Sequence, residues 1–402
     1  MRLKTTSGRA WRCTTALCAV GTIALAAACG GGNSAGGGNA GGGNYTIGYS
    51  GDLSGSLASI GTGLRDGYAT YFDQVNGSGG INGHQVTFLP LDDASDPTKG
   101  VANAKQLTQS EKVDGMFVFL SNIIKAMQPV LAATHTPAIV QAMPPELLHP
   151  PQTDVYAGDI LIGDEPTPMF SFLAQKVGGS TPKVGIIAAQ TAALSALVDN
   201  SVKLADAKGW PIADKEQVSL NSTSAAPQAT ALASKHPDVV VMALTDPLAI
   251  SATQTLRSQG FKGAIVNYDG GGAYSTLQQL ADPDFYVVRP YAFAGSADSS
   301  VAVKQFEQAA KKANVDPNRP FVVNGYVQAF VMGQALKQCG YPCDASKLEK
   351  VLPTLNTVDT QGLTFGKWIY SHDDHSGIQS VKLYHWDTQQ KAPVAATDIL
   401  PM

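Results

Sequence analysis

From Tyr45 onward, short Val/Ile/Phe-rich runs alternate with amphipathic stretches, and this alternation fixes the fold class. "YTIGYSGDL" reads as a strand entering a loop. In "GTGLRDGYATYFDQVNGSGG", Leu64, Tyr68, Tyr71, Phe72 and Val75 recur at i, i+4, i+7, i+8 and i+11, one helix face closed by glycines. "HQVTFLPLDDASDP" is a second strand, and "PTKGVANAKQLTQSEK" a second helix opened by Pro97. "VDGMFVFL", a helix over about 123–134 and "PAIVQA" continue the rhythm. Buried runs of this kind are what a parallel sheet covered by helices on both faces demands.

Near residue 165 the rhythm restarts. "PKVGIIAAQ", a helix near 194–208, "ADKEQVSLN", a helix near 225–235 and "PDVVVMAL" lead on to a helix near 247–259 and "GAIVNYD". A helix near 274–281 and "FYVVRPYAF" complete a second α/β unit. "SVAVKQFEQAAKKAN" and "FVVNGYVQAFVMGQALKQ" follow as long helices, and "LTFGKWIY" and "VKLYHWD" as strands. The roughly 358 residues after position 44 exceed one core and suit two domains.

Residues 1–28 read as a signal segment: Arg2, Lys4, Arg9 and Arg12 precede the apolar "CTTALCAVGTIALAAA", too short and small-sided for a membrane span. Ala26, Ala27 and Ala28 lead into Cys29, which resembles the lipobox of bacterial lipoproteins, with Ala26 where that pattern has Leu. Acylation of Cys29 then anchors the body to the membrane, each buried methylene contributing about 0.8 kcal/mol. The alternative is an ordinary secretory signal cut a few residues later. Residues 29–44 form a lipidated Gly/Asn/Ala/Ser tether with a reach on the order of 20 Å.

Loss of the signal leaves 24 basic against 32 acidic residues, a net charge of −8. That excludes nucleic acid, whose phosphates need a basic surface. Cys339 and Cys343 remain, in "KQCGYPCDAS". In an oxidising compartment the pair reads as a disulfide pinning a turn after a helix, with a two-cysteine metal site as the rival.

After the tether no catalytic motif stands out: Gly-x-Ser-x-Gly, the Walker loop, His-Glu-x-x-His and Cys-x-x-Cys are all missing there. "GTGLRDG" has the wrong spacing for a dinucleotide fingerprint and lies about ten loop residues past the strand, so it reads as a helix start. His372, Asp373, Asp374 and His375 in "SHDDHSG" are dense in ligand types but sit where Gly377 and a polar run favour a hairpin turn. No metal and no cofactor is expected.

The stretch "YTIGYSGDLSG…GLRDGYATYFDQVNGSGGINGHQVTFLPLDDASDPTKGVANAKQL" resembles the N-terminal half of type I periplasmic binding proteins of the leucine/isoleucine/valine-binding kind. The resemblance extends over nearly the whole chain from Tyr45, and "GGINGHQV…LDDASDP" is its most specific part. It implies two doubly wound parallel-sheet α/β lobes joined by three crossovers, with ligand in the cleft between them. Lobe one would be roughly residues 45–163 and 291–376, and lobe two 164–290 and 377–402.

In open α/β sheets ligands bind beyond the carboxyl ends of strands. The loops at that position offer Ser54 and Ser56; Ser121 and Asn122; Ala142 and Met143; Gln190 and Thr191; Thr245 and Asp246; and Asp269 with Gly270. The resemblance implies that Asp269 in "VNYDGGG" holds a ligand ammonium, Ser121 a ligand carboxylate, and Phe321 lines the side-chain pocket. It also shows departures: Met143 stands at the second hydroxyl position, and Ala193, Thr245 or Asp246, and Ile60 replace tyrosines. Plainer roles remain open for each. Asp269 and Asp246 suit helix caps, Ser121 suits a local backbone bond, and Phe321 and Met143 suit core packing.

Together these features imply a non-enzymatic, monomeric substrate-binding lipoprotein that works with an ABC permease and ATPase and is held at the membrane by its lipid. Its solute would be a branched-chain or related amino acid by family default; amides, urea and aromatic acids are other classes in the family. A receptor that senses solute through the same cleft is the alternative, and an enzyme on a doubly wound fold a more distant one.

Overall fold

A computed structural model describes residues 43–148, 151–219, 221–296 and 299–402. The signal segment, most of the tether and Cys29 lie outside the described residues. Strands β1 (Tyr45–Gly51), β2 (Val86–Asp92), β3 (Gly115–Val118), β4 (Ala138–Val140) and β5 (Val155–Ala157) pair in parallel in the order β2-β1-β3-β4-β5. Helices α1 (Ala58–Gly77), α2 (Pro97–Lys105) and α3 (Ser121–Thr134) connect the first four.

The chain then enters α4 (Pro166–Val177) and builds a second sheet from β6 (Val184–Ala189), β7 (Ile212–Val218), β8 (Val239–Ala243), β9 (Ile265–Asn267) and β10 (Phe285–Arg289). These run β7-β6-β8-β9-β10, repeating the strand order of the first sheet. Helices α5 (Ala192–Ala207), α6 (Ala226–Ala233), α7 (Asp246–Ser258) and α8 (Tyr274–Leu280) make the crossovers.

After β10 the chain returns to the first lobe as α9 (Val301–Lys312), α10 (Val322–Cys339) and α11 (Ala345–Val351). A small antiparallel sheet of β11 (Asn356–Val358), β12 (Trp368–Tyr370) and β13 (Gly377–Ile378) follows beside β5, whose Ala157 N–H donates to the His375 carbonyl at 2.8 Å. The third passage brings β14 (Ser380–Asp387) antiparallel to β10, with β15 (Ala392–Ala395) and β16 (Leu400–Pro401) at its side. The second sheet is therefore mixed. Consecutive tail strands have only short turns between them, which suffice for antiparallel pairing but not for a parallel crossover.

Local chemistry explains the helix starts. Asp96 accepts from Thr98 N–H ahead of Pro97, Thr191 caps α5, Ser300 caps α9 and Asp344 caps α11. The glycines of "GTGLRDG" serve packing. A Cβ on Gly63 or Gly67 would lie 2.1 or 2.2 Å from the carbonyl oxygens of Pro320 and Val322, so α1 and α10 meet backbone to backbone. Tyr68 of α1 stacks on Phe117 of β3 with centroids 4.0 Å apart, and buried aromatic residues of this kind dominate the first core.

The start of β1 is fastened to the end of α10. Cys339 and Cys343 are joined, with Cα atoms 5.9 Å apart. Within that turn Gly340 accepts from the Tyr45 hydroxyl at 2.9 Å, and Tyr341 stacks on His84 at 3.6 Å. His84 Nδ1 in turn pairs with the Gly43 carbonyl at 2.9 Å.

Candidate ligand-binding site

The carboxyl ends of β5, β9 and β10 converge where the chain passes between the lobes, and the buried charges of Asp159, Glu165, Asp269 and Arg289 gather there. β9 ends in Asn267, whose amide donates to the carbonyls of Leu244 and Gly271 and accepts from Leu244 N–H. That lacing pulls the turn tight: a Cβ on Gly271 would lie 1.8 Å from the Leu244 carbonyl oxygen, so only glycine fits. The turn presents Asp269, whose backbone N–H donates to Glu165 Oε2 at 2.9 Å. Glu165 heads α4 just before Pro166.

β10 ends in Arg289, the one charge in an otherwise apolar strand. Its Nη1 donates to Asp269 Oδ1 at 3.1 Å, and its guanidinium lies 4.5 Å from the centre of the Phe293 ring. Asp269 is 6% exposed and Arg289 8%. Asn324 of α10 also bonds the Asp269 carboxylate, which brings a lobe-one helix onto this lobe-two pair. Asp246 accepts from Ala273 N–H at 3.1 Å and from the Thr276 hydroxyl at 2.6 Å, tying α7 to the start of α8.

A second polar chain enters from lobe one. The Tyr68 hydroxyl donates to Gln328 Oε1 at 2.8 Å, Gln328 donates to Gln141, and Gln141 to Asp159. Asp159 also accepts from Asn324 at 2.7 Å and from its neighbour Ile160 N–H at 2.8 Å. Asn324 therefore touches both acids, Asp159 at the first passage and Asp269 in lobe two.

Burial dominates the electrostatics of this cluster. It pushes Asp269 up to about 7, against the pull of Arg289 and with the help of the Asp159 and Asp246 charges. Burial likewise raises Asp159 and Asp246, and raises Glu165 well above the carboxylate range, with Asp269 adding to that shift. Among the described residues, Glu165 Oε1 and Arg289 Nε are buried with no hydrogen-bond partner, an arrangement that native structures seldom tolerate without a reason.

Two small cavities, about 20 and 10 Å³, flank Arg289 and share Ala273, Pro320 and Phe321 as walls. Each has room for about one water, so a solute enters only when the lobes part or Phe321 moves. Phe321 is held with φ at +64° immediately before α10, a conformation unusual for a large side chain. Roomier, open grooves of about 490 Å³ beside Phe330 and about 640 Å³ beside Glu307 are lined by mixed polar and apolar residues, most of them half-buried or exposed.

Of the residues singled out in the sequence, the structure brings Asp246, Asp269, Gly270 and Phe321 together at one of these cavities. The others stand apart from both. Ser54 is exposed and donates to Asp92 at 2.5 Å. Ser121 donates to the Ala142 carbonyl at 2.7 Å. Met143 packs into a core cluster behind β4. Gln190 donates to Gln217 at 3.0 Å, and Thr191 accepts from Leu194 N–H as the cap of α5. Thr245 precedes α7 without a side-chain cap bond, and Ser56 and Asn122 are exposed. Asp269 caps no helix; its carboxylate is occupied by Arg289 and Asn324.

The sequence reading passed over Arg289, Glu165, Asp159 and Asn324. Each left a trace: a lone charge closing "FYVVR", acids in "AGDIL" and "GDEPTP", and Asn324 and Gln328 four apart on an apolar helix. In the "SHDDHSG" turn, His375 is buried, bonded through Nδ1 to the Val155 carbonyl at 2.8 Å and stacked on Tyr156, a structural role. Among the described residues no helix is long and apolar enough to cross a membrane.

Comparison with known proteins agrees with this architecture. Residues 44–392 match the periplasmic binding protein family model. A Leu/Ile/Val-binding protein homolog from Brucella melitensis is 22% identical, the match covering 85% of this chain and 91% of the relative. A solved branched-chain amino acid ABC transporter protein from Thermus thermophilus, with bound valine, superposes with a TM-score of 0.79 at 14% identity, covering 89% of this chain and 97% of that one. A fatty acid ABC transporter substrate-binding protein from Thermomonospora curvata superposes with a TM-score of 0.75 at 20% identity, covering 89% and 92%. The chain thus belongs to the type I periplasmic binding proteins of the leucine/isoleucine/valine-binding family, extracytoplasmic solute-binding proteins that catalyse no reaction.

Proposed function

We propose that this chain is a lipid-anchored substrate-binding protein that captures a small amphipathic, carboxylate-bearing solute at the Arg289–Asp269 pair and presents it to an ABC permease. The observation that carries this reading is a buried ion pair, with an unpartnered guanidinium nitrogen, lying where both lobes and their connections meet. Polar groups left unsatisfied inside a protein await a partner. Solute entering between the lobes makes contacts to both only when they close, and so shifts the open–closed equilibrium toward closed. The solutes after which the relatives are named, branched-chain amino acids and a fatty acid, have a carboxylate in common. Cys29 at the end of an alanine run is the proposed acylation point.

Two measurements test this. Solution scattering of the body from residue 43 onward should show contraction with a bound solute, alongside a raised melting temperature. Replacement of Cys29 by Ser should shift the full-length protein from the membrane fraction to the soluble one. A body that neither contracts nor gains stability with any amino or carboxylic acid would refute the capture reading.

A further inference from the structure

Resting on that reading, we infer that the solute is a carboxylate without an ammonium group, bound through Arg289 in exchange for Asp269.

Three observations lead there. Among the described residues, the acid–base pair that lobe two alone brings to the interlobe cavities is Arg289–Asp269, and Arg289 lines both cavities. Asp269 Oδ1 is already paired with Arg289, so a ligand ammonium would have to compete with the chain's own cation. On lobe one, the groups that would receive a carboxylate are committed elsewhere: Ser121 donates to Ala142, and Met143 is packed in a core. Of the two unpartnered atoms of the cluster, Glu165 Oε1 belongs to a carboxyl that burial pushes well above the carboxylate range, whereas Arg289 Nε belongs to a permanent cation, so the free charge capacity is the guanidinium. Arginine presents a planar fork that matches a carboxylate in two-point contact. Around it Phe293, Phe321, Tyr274 and Ala273 provide an apolar wall.

The exchange must leave no buried charge unpaired, because a stranded carboxylate there would cost several kcal/mol. The incoming carboxylate takes the guanidinium, and Asp269 takes a proton from solvent in place of its lost partner. One anion thus replaces another, and the net charge of the cleft is unchanged. The groups facing Asp269 allow this. Asp159, Asp246 and Glu165 all favour protonation there, and Arg289 is the cation facing it among the described residues; Asn324 remains a donor. Tyr268 and Tyr291, raised by burial, stay protonated.

The test compares leucine with 4-methylpentanoate, the same skeleton without its ammonium, and with 4-methylpentanamide, which lacks the charge; octanoate and benzoate extend the series. Calorimetry on the full chain at pH 8 should give binding of at least one of the acids, at least tenfold tighter than leucine or the amide. Comparison of two buffers should show uptake of up to one proton per acid bound. D269N should bind the acid at least as tightly as the wild type, with the proton uptake gone. Because an Arg289 variant alone strands Asp269, the control is the double variant R289Q/D269N, which should bind acid and amide alike. Leucine binding as tightly as the acid, or a tenfold loss of acid affinity in D269N, would overturn the inference. If amino acids contract the body while the acids do not, this inference falls and solute capture stands; if nothing in the series binds, both fall.

Discussion

The loops beyond the two sheets both carry clusters of carboxylates, yet treat them in opposite ways. After β1 and β2, Asp52, Asp92 and Asp93 are answered by their own surroundings. Asp52 accepts from the N–H groups of Gly55 and Leu57 and the Ser95 hydroxyl; Asp92 accepts from Leu53, Ala94 and Ser54; Asp93 accepts from Ser50 and Ser95. All of these donors lie within the two loops or at the end of β1. After β9 and β10 the acids instead lean on partners from other elements, and two polar atoms among them have none. Local satisfaction makes a rigid frame. Shared, incomplete satisfaction makes a place where a further molecule changes the balance.

The largest break in that contrast should come from Arg289→Met. It leaves Asp269 buried without its cation and should cost roughly 3–5 kcal/mol in denaturant unfolding. Asp269→Asn on the same background should restore most of it. A loss below about 1 kcal/mol would mean the pair is solvated.

The acids of this cluster should next set the pH response. Asp269, pushed up to about 7, holds a proton in the folded state that the unfolded chain releases near 4, as do Asp159, Asp246 and Glu165 in the same direction. Stability from these groups is fully present at low pH and declines as pH rises through that window. Asp114, raised to about 6 by burial, adds to the trend. The melting temperature should therefore be higher at pH 5.5 than at pH 8, with a smaller difference in Asp269→Asn. A profile that is flat or rises with pH contradicts this.

Gln328→Leu removes the link between Tyr68 and Gln141 and leaves both facing an apolar side chain, for a loss of about 1–3 kcal/mol. In contrast, Ser54→Ala removes one exposed donor to Asp92 and should cost below about 1 kcal/mol, with solute affinity unchanged. If Ser54→Ala weakens solute binding as much as Arg289→Met does, the distinction between frame and site is lost.

Much of the fold was legible because it is written in local periodicity. The helix face Leu64–Tyr68–Tyr71–Phe72 and the apolar runs "VVVMA" and "GIIAA" appear as α1, β8 and β6. The antiparallel tail was less so, since a short strand such as "VKLYHWD" does not announce its neighbour. The site was half-visible for the same reason. Asp269 and Asp246 follow strands and stand next to glycine or proline, signals that a short window contains. Arg289 pairs with a residue 20 positions away, Asp159 with one 165 away, and Gln141 with one 187 away. Partners so distant leave no pattern in the chain between them.

The fastening of β1 bears on how the molecule carries load. Gly43 is clipped through His84 and Tyr341 to the end of α10, at the amino edge of a seven-residue strand, roughly 20 Å of backbone from the ends where the charges gather. A pull on the leading segment is therefore taken up by one lobe, and none of the three passages between lobes lies on that line of tension. A lobe closure of the kind proposed would then proceed with the proposed anchor under tension.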